Sequence, residues 1–220
     1  METMDGTATD QFSMTAAELS FLLASGDRPG EAPRLLGLTD ADRADAVLSA
    51  GIGSLLLRHL AAPVEGNRID LAPAVAAVAA ALHRPRAFVQ VGLTADDHAD
   101  GALLIDADRF RFLVGGRAYR CYDITPIAAD TDVRDPLLAV ADRFLHRHRP
   151  AVATFNATSA FDFARGVQPA RTALSAAADG TWTVVGVDGT ASAAADFDAA
   201  AALVRDELAT MLLPSAQAQQ

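Results

Sequence analysis

"FRFLVGGRAYRCYDI", residues 110 to 124, decides how the chain is to be read. It holds the single cysteine, Cys121, and three arginines set among aromatic side chains. Three roles fit that composition: the edge of an active site with a thiol nucleophile, a nucleic-acid-binding strand, or a structural hairpin. Gly115-Gly116 between two alternating runs predicts a two-residue turn, because the turns whose twist suits a hairpin need positive φ. That turn sets Val114 opposite Arg117, Phe112 opposite Tyr119 and Phe110 opposite Cys121. All six share one mostly apolar face, so Cys121 is expected in the core as a small hydrophobe and not as a nucleophile. The other face would carry Arg109, Arg111, Leu113, Ala118, Arg120 and Tyr122. Arg111 and Arg120 would then be directly opposed, and like charges there repel. Either an internal carboxylate or solvent compensates them, or the face meets an acidic or carbonyl-rich partner. Arg109, Arg111, Arg120 and Tyr122 are the candidate partner-binding residues.

Outward from the hairpin, the period alternates from Ala87 onward, and strands are expected over 87 to 93, 102 to 106, 109 to 114 and 117 to 124. Joined by short polar loops, they form an antiparallel meander. Upstream the spacing is helical. Thr15 and Glu18 make a capping box ahead of Leu19, Leu22 and Leu23. A second helix starts at Thr39, with Gly51 and Gly53 each weakening it by about 1 kcal/mol relative to alanine if exposed. A third, capped by Asp70, turns Val75, Val78 and Leu82 inward and ends before Pro85. Downstream, Asp135-Pro136 begins a helix with Leu137, Val140, Ala141, Phe144 and Leu145 buried. Residues 151 to 170 read as a strand followed by a loop or short helix. A second hairpin turns at Asp179-Gly180. Asp196 caps a last helix whose stripe is Phe197, Ala201, Val204, Leu208 and Met211.

This order predicts an α+β fold: an antiparallel meander flanked by helices, compatible with two pseudo-twofold halves, and a winged-helix-like segment of three N-terminal helices. One domain is expected over 14–214, comprising a helical part (14–86), a meander plus helix (87–150) and a hairpin plus C-terminal helix (151–214). Residues 1–13 and 215–220 are expected to be flexible.

Composition narrows the chemistry. All 18 basic residues are arginine, which removes the lysine of a P-loop, a Schiff base or a kinase strand. With 28 acidic residues the net charge is −10, so attraction to nucleic acid or anionic membranes is not expected. One cysteine forbids an internal disulfide and suits a reducing compartment. No basic segment precedes an apolar run at the start, and "APAVAAVAAALH" is too short to span a bilayer, so a cytoplasmic protein without membrane insertion is expected.

The apparent sites weaken on inspection. His146 and His148 are two apart, whereas helical zinc pairs sit four apart, and "HRHR" suits the negative end of a helix dipole. "DDHAD" (96 to 100) lacks calcium-loop spacing and reads as a solvated turn. "GIGSL" (51 to 55) is not a nucleophile elbow, since Leu56 stands where the second glycine belongs. No catalytic residue, metal site or cofactor is expected. A winged-helix regulator with an effector-binding β domain is the alternative function, but its recognition helix, 70 to 82, has no side chain able to read a base edge. A small-molecule enzyme or ligand-binding protein is the third.

Three stretches, "TAAELSFLLA", "NRIDLAPAVAAVAAALHRPRAFVQVGL" running into "GALLIDADRFRFLV", and "DGTWTVVGVDG" before the final helix, resemble the EspG family of actinobacterial type VII (ESX) secretion chaperones. The resemblance covers two-thirds of the chain. It implies a non-enzymatic adaptor of pseudo-twofold fold that keeps a secreted helical protein, PE/PPE-like or another ESX substrate, soluble in the cytosol. It further implies a grip on the substrate's tip through the sheet and the C-terminal helical region. No family residue carries over by motif.

Overall fold

The computed structural model describes residues 11–26, 32–66 and 68–212. Its N-terminal part runs β1 (Phe12–Thr15), α1 (Ala16–Ala24), α2 (Ala32–Leu35), a 3-10 turn at Asp40–Arg43, α3 (Asp45–Leu57), the ribbon β2 (Ala61–Val64) and β3 (Arg68–Leu71), and α4 (Pro73–His83). The meander is β4 (Pro85–Ala95), β5 (Ala99–Ala107), β6 (Arg111–Arg117) and β7 (Cys121–Pro126), followed by α5 (Arg134–Arg147). Next come β8 (Ala151–Ser159), α6 (Ala160–Ala164), β9 (Ala170–Ala176), β10 (Trp182–Val185), β11 (Ala191–Ala194) and α7 (Phe197–Leu212).

Nine strands form one antiparallel sheet in the order β1-β7-β6-β5-β4-β8-β9-β10-β11. Its centre is the β4·β8 pair, from Ala87 opposite Ser159 to Ala95 opposite Ala151. On either side lie four consecutive strands and then a helix: β4 to β7 with α5, and β8 to β11 with α7. Both helices pack on the same face of the sheet, so a twofold axis normal to the sheet through β4·β8 relates the two ββββα halves. The pseudo-twofold organisation expected from the sequence is present. Helices α1, α3 and α4 cover the opposite face, over the first half.

Alternation explains the two layers. Phe88 faces the N-terminal helices, while Val89 and its alternates Val91 and Leu93 face α5 and α7. Leu103, Leu104 and Ile105 are consecutive and all buried, because the centre of the sheet is covered on both sides. The capping box is formed: Thr15 Oγ1 accepts from the Glu18 N–H at 3.2 Å, and Glu18 Oε2 accepts from the Thr15 N–H at 2.8 Å. Asp196 caps α7 through the Ala199 N–H at 2.8 Å. The 151 to 170 segment is a strand and then a short helix.

The hairpin departs from expectation. Gly115 and Gly116 lie inside β6, and the chain reverses at Ala118–Cys121, where the Cys121 N–H donates to the Ala118 carbonyl. Tyr119 and Arg120 take positive φ, 60° and 57°. Each such non-glycine residue costs roughly 1 to 2 kcal/mol. In return Val114 lies opposite Ile124, which is wholly buried among the N-terminal helices. Burial of a side chain that size contributes about 1.5 to 3 kcal/mol, and Arg120 gains a carboxylate partner in Asp42. Long-range packing thus outweighs the local glycine preference. The register changes by an odd number of residues, so the faces exchange. Cys121 lies opposite Arg117 and not Phe110, and is partly exposed.

Other corrections are local. Residues 12 and 13, expected to be flexible, belong to β1 on the edge of β7; residues 1–10 and 215–220 lie outside the described residues. Asp70 sits in β3, and α4 begins at Pro73, where a proline loses no helical hydrogen bond. β11 was not anticipated. The strands after α4 form the centre of the main sheet, not a wing, so the winged-helix likeness ends at the three helices.

A cleft between the sheet and the C-terminal helix

A concavity of about 640 Å³ lies on the α5/α7 face at the end of the sheet where β4 and β9 begin and β5 and β8 finish. Ala87, Leu104, Ala157 and Ala170 form its floor. The last turn of α7, with Thr210, Met211 and Leu212, makes one wall, and Thr131 to Val133 ahead of α5 make another. Val167 and Val187 line it from the chain after α6 and after β10; they are 48% and 45% exposed, unusual for valines facing a concavity.

The cleft's carboxylates all accept hydrogen bonds from within the chain, and two of them are paired with arginines. Asp106 and Arg111 are paired across β5·β6, Arg111 Nε donating to Asp106 Oδ1 at 3.0 Å and Nη1 to the Ala129 carbonyl at 3.2 Å. Asp132 accepts from Arg134 Nε at 2.8 Å and Nη2 at 2.6 Å, and from Arg205 Nη1 at 3.4 Å. The Arg134 fork beside Asp132 holds its carboxyl down to about 2, against burial, with Arg205 adding to the effect. Arg205 also reaches Asp135 at 2.7 Å, which ties α7 to the start of α5. Asp162 accepts from Ser159 Oγ at 2.8 Å. Among the described residues no histidine or cysteine lines the cleft. The cleft thus combines an apolar bed with a polar rim held by hydrogen bonds within the chain.

The four residues singled out in the sequence do not share a face. Arg111 lines the cleft, and Arg109 is exposed in the neighbouring β5–β6 turn. Tyr122 is on the opposite face of the sheet, its hydroxyl donating to the Leu36 carbonyl at 2.7 Å, and burial raises its pKa. Arg120 reaches the same side and donates to Asp42 Oδ2 at 2.8 Å. Asp42 also accepts from the Thr39 N–H, which with the Thr39 hydroxyl and Arg120 holds its carboxyl below the usual range. Compensation of Arg111 and Arg120 is therefore intramolecular, by one aspartate each. Arg86, Asp132, Val167 and Val187 were not singled out in the sequence, and Met211 was placed only on a helix stripe, because they converge from five separate segments. Arg111, the helix that Pro136 starts and the last helix marked parts of that neighbourhood.

Three of the five histidines, His98, His146 and His148, lie at the other end of α5. His146 packs on Trp182 and Phe197, and His148 lies 4.4 Å from His98, ring centre to ring centre. Among the described residues no group of three or more His, Cys, Asp or Glu is placed to hold a metal, and no helix is long and apolar enough to cross a membrane.

No protein-family model matches the chain, and no curated protein matches it in sequence. A solved structure does: the Mycobacterium tuberculosis type VII secretion system chaperone EspG5, in complex with a PE25-PPE41 dimer. The TM-score is 0.62 over 91% of this chain and 96% of that one, at 11% sequence identity. At that identity the likeness carries the fold alone: the chain has an EspG-like fold.

Proposed function

We propose that this protein is a non-enzymatic cytoplasmic chaperone or adaptor that holds a helical secretion substrate of a type VII system, of the PE/PPE kind, soluble until export. The supporting observation is the cleft itself. It lies between the sheet and the last turn of α7, and its apolar side chains, Val167, Val187, Met211 and Leu212, face outward into a concavity. Exposed apolar surface gathered in a concavity marks a binding site more often than a solvated surface. The EspG-like fold adds the precedent of a neighbour solved with a PE-PPE dimer bound. Arg111 is assigned to this surface, with Arg109 at its margin; Arg120 and Tyr122 brace the N-terminal helices behind it.

The test is co-expression with a PE/PPE pair from the host and co-purification on a tagged substrate. Val187→Asp and Val167→Asp are expected to weaken capture at least about tenfold while the melting temperature holds, since a charge in an apolar contact leaves desolvation unrepaid. Retention of both variants at wild-type levels would remove the cleft from the binding surface.

A further inference from the structure

The two outer strands of the sheet are treated differently. β7 is the last strand of the first half, and its outer edge is covered by β1, paired from Phe12 opposite Ile124 to Thr15 opposite Cys121. The edge that β1 itself then presents is closed by side chains: the Ser13 carbonyl accepts from Arg58 Nη2 at 2.9 Å, and the Thr15 N–H donates to Glu18. The twofold that relates the halves carries β7 onto β11. Among the described residues β11 pairs only with β10.

Register shows which groups point outward. Gly186 N–H donates to the Thr190 carbonyl at 2.9 Å, and hydrogen-bonded pairs recur every second residue in an antiparallel ladder. Val184·Ser192 and Trp182·Ala194 are therefore the bonded pairs. The N–H and C=O of Ala191 and Ala193 point away from the sheet, and no side chain of the described residues meets them. We infer that the outer edge of β11 is a strand-addition site, taking an extended segment of a partner protein as β7 takes β1. The added strand runs antiparallel to β11, as β1 does to β7, and bonds to the Ala191 and Ala193 backbones.

Charge defines the partner. Asp188 precedes β11 and Asp196 and Asp198 follow it, all exposed. Hydrogen bonds from Thr190 hold Asp188 below the usual carboxylate range, so the edge is flanked by anions at neutral pH. A second copy of this chain would set its own Asp188 beside Asp196 across the new pair, where like charges repel. A segment with arginine or lysine at its ends and apolar side chains alternating toward α7 meets the same edge with opposite charge. This site uses none of the residues that line the cleft and stands or falls without it.

The probe is a synthetic peptide, Arg-Val-Thr-Val-Thr-Val-Arg, with the same peptide flanked by glutamate as comparator. Amide exchange at Ala191 and Ala193 in the full chain is expected to slow about tenfold or more at saturating arginine peptide, and little with the glutamate peptide. Ala193→Pro removes only an outward N–H, a place where a strand tolerates proline. It should abolish binding of the arginine peptide without lowering the melting temperature, and Ala193→Val should bind as wild type. Unchanged exchange, equal binding of the two peptides, or full binding by a folded Ala193→Pro variant would overturn the inference. So would protection already present without peptide, whether lost on dilution, which would mean a second copy, or lost on deletion of residues 213–220.

Discussion

Arg111 stands directly across the β5·β6 pair from Asp106, its Nε 3.0 Å from the carboxylate, at the rim of the cleft. The arginine expected to repel another arginine across a hairpin faces an aspartate instead. Arg111→Glu puts two carboxylates opposite each other and should cost about 1 kcal/mol. The double variant Arg111→Glu/Asp106→Arg should recover the part of that due to the ion pair, though not the Arg111 bond to the Ala129 carbonyl. Thermal denaturation of the three variants measures the coupling. If the double variant is no more stable than the single one, the contact is incidental.

Two glycines of one helix should respond oppositely to alanine. A Cβ on Gly51 would lie 2.1 Å from the Ala17 carbonyl oxygen, where α3 crosses α1, whereas one on Gly53 meets nothing within 4 Å. Gly53→Ala should stabilise by roughly 0.5 to 1 kcal/mol from helix propensity and unfolded-state entropy. Gly51→Ala should destabilise by about 1 to 3 kcal/mol, since overpacking outweighs the same gain. Chemical denaturation of the two variants decides, and stabilisation by both would place α1 and α3 further apart.

Glu18 is wholly buried and satisfied four times over: by the Thr15 N–H, by Ser54 Oγ at 2.7 Å, and by Arg58 Nη1 at 2.8 and 2.9 Å to its two oxygens. It joins β1, α1 and α3. Removing its charge leaves Arg58 without its anion, so Glu18→Gln should cost about 2 to 4 kcal/mol, short of the full penalty because Arg58 is partly in solvent. Loss of signal from β1 in hydrogen exchange should accompany the fall in stability. A melting temperature equal to wild type would contradict the network.

Acid should loosen the joint between α5 and α7. The folded pKa of Asp132, about 2, lies below its ordinary value. Its contribution is therefore complete above about pH 4 and lost as the pH falls toward 2. With the side chain 31% exposed, solvent screening reduces that contribution to on the order of 1 kcal/mol. Asp132→Asn should flatten this part of the stability profile while leaving its neutral-pH shape intact. A variant with the wild-type acid profile would assign the effect elsewhere.

What the sequence determined by itself is local. Thr15 with Glu18, Pro136 after Asp135, Asp179-Gly180 and Asp196 each act within four residues, through caps and turns whose geometry neighbouring side chains complete. The alternation from Ala87 and the helical stripes reflect burial periods carried by each segment alone, so the elements and the α+β class were legible. Tertiary structure decided whatever depended on distant chain. Gly115-Gly116 offered the better turn, but Ile124 could enter the core only if the chain turned at Tyr119 and Arg120. β1 and β11, four residues each, exist because β7 and β10 pair with them. Gly51 looked like a weakness in a helix and is the point where two helices touch. The cleft, assembled from eight stretches separated along the chain, was not legible in the sequence as a cleft, because a concavity is a relation between surfaces that only packing brings together.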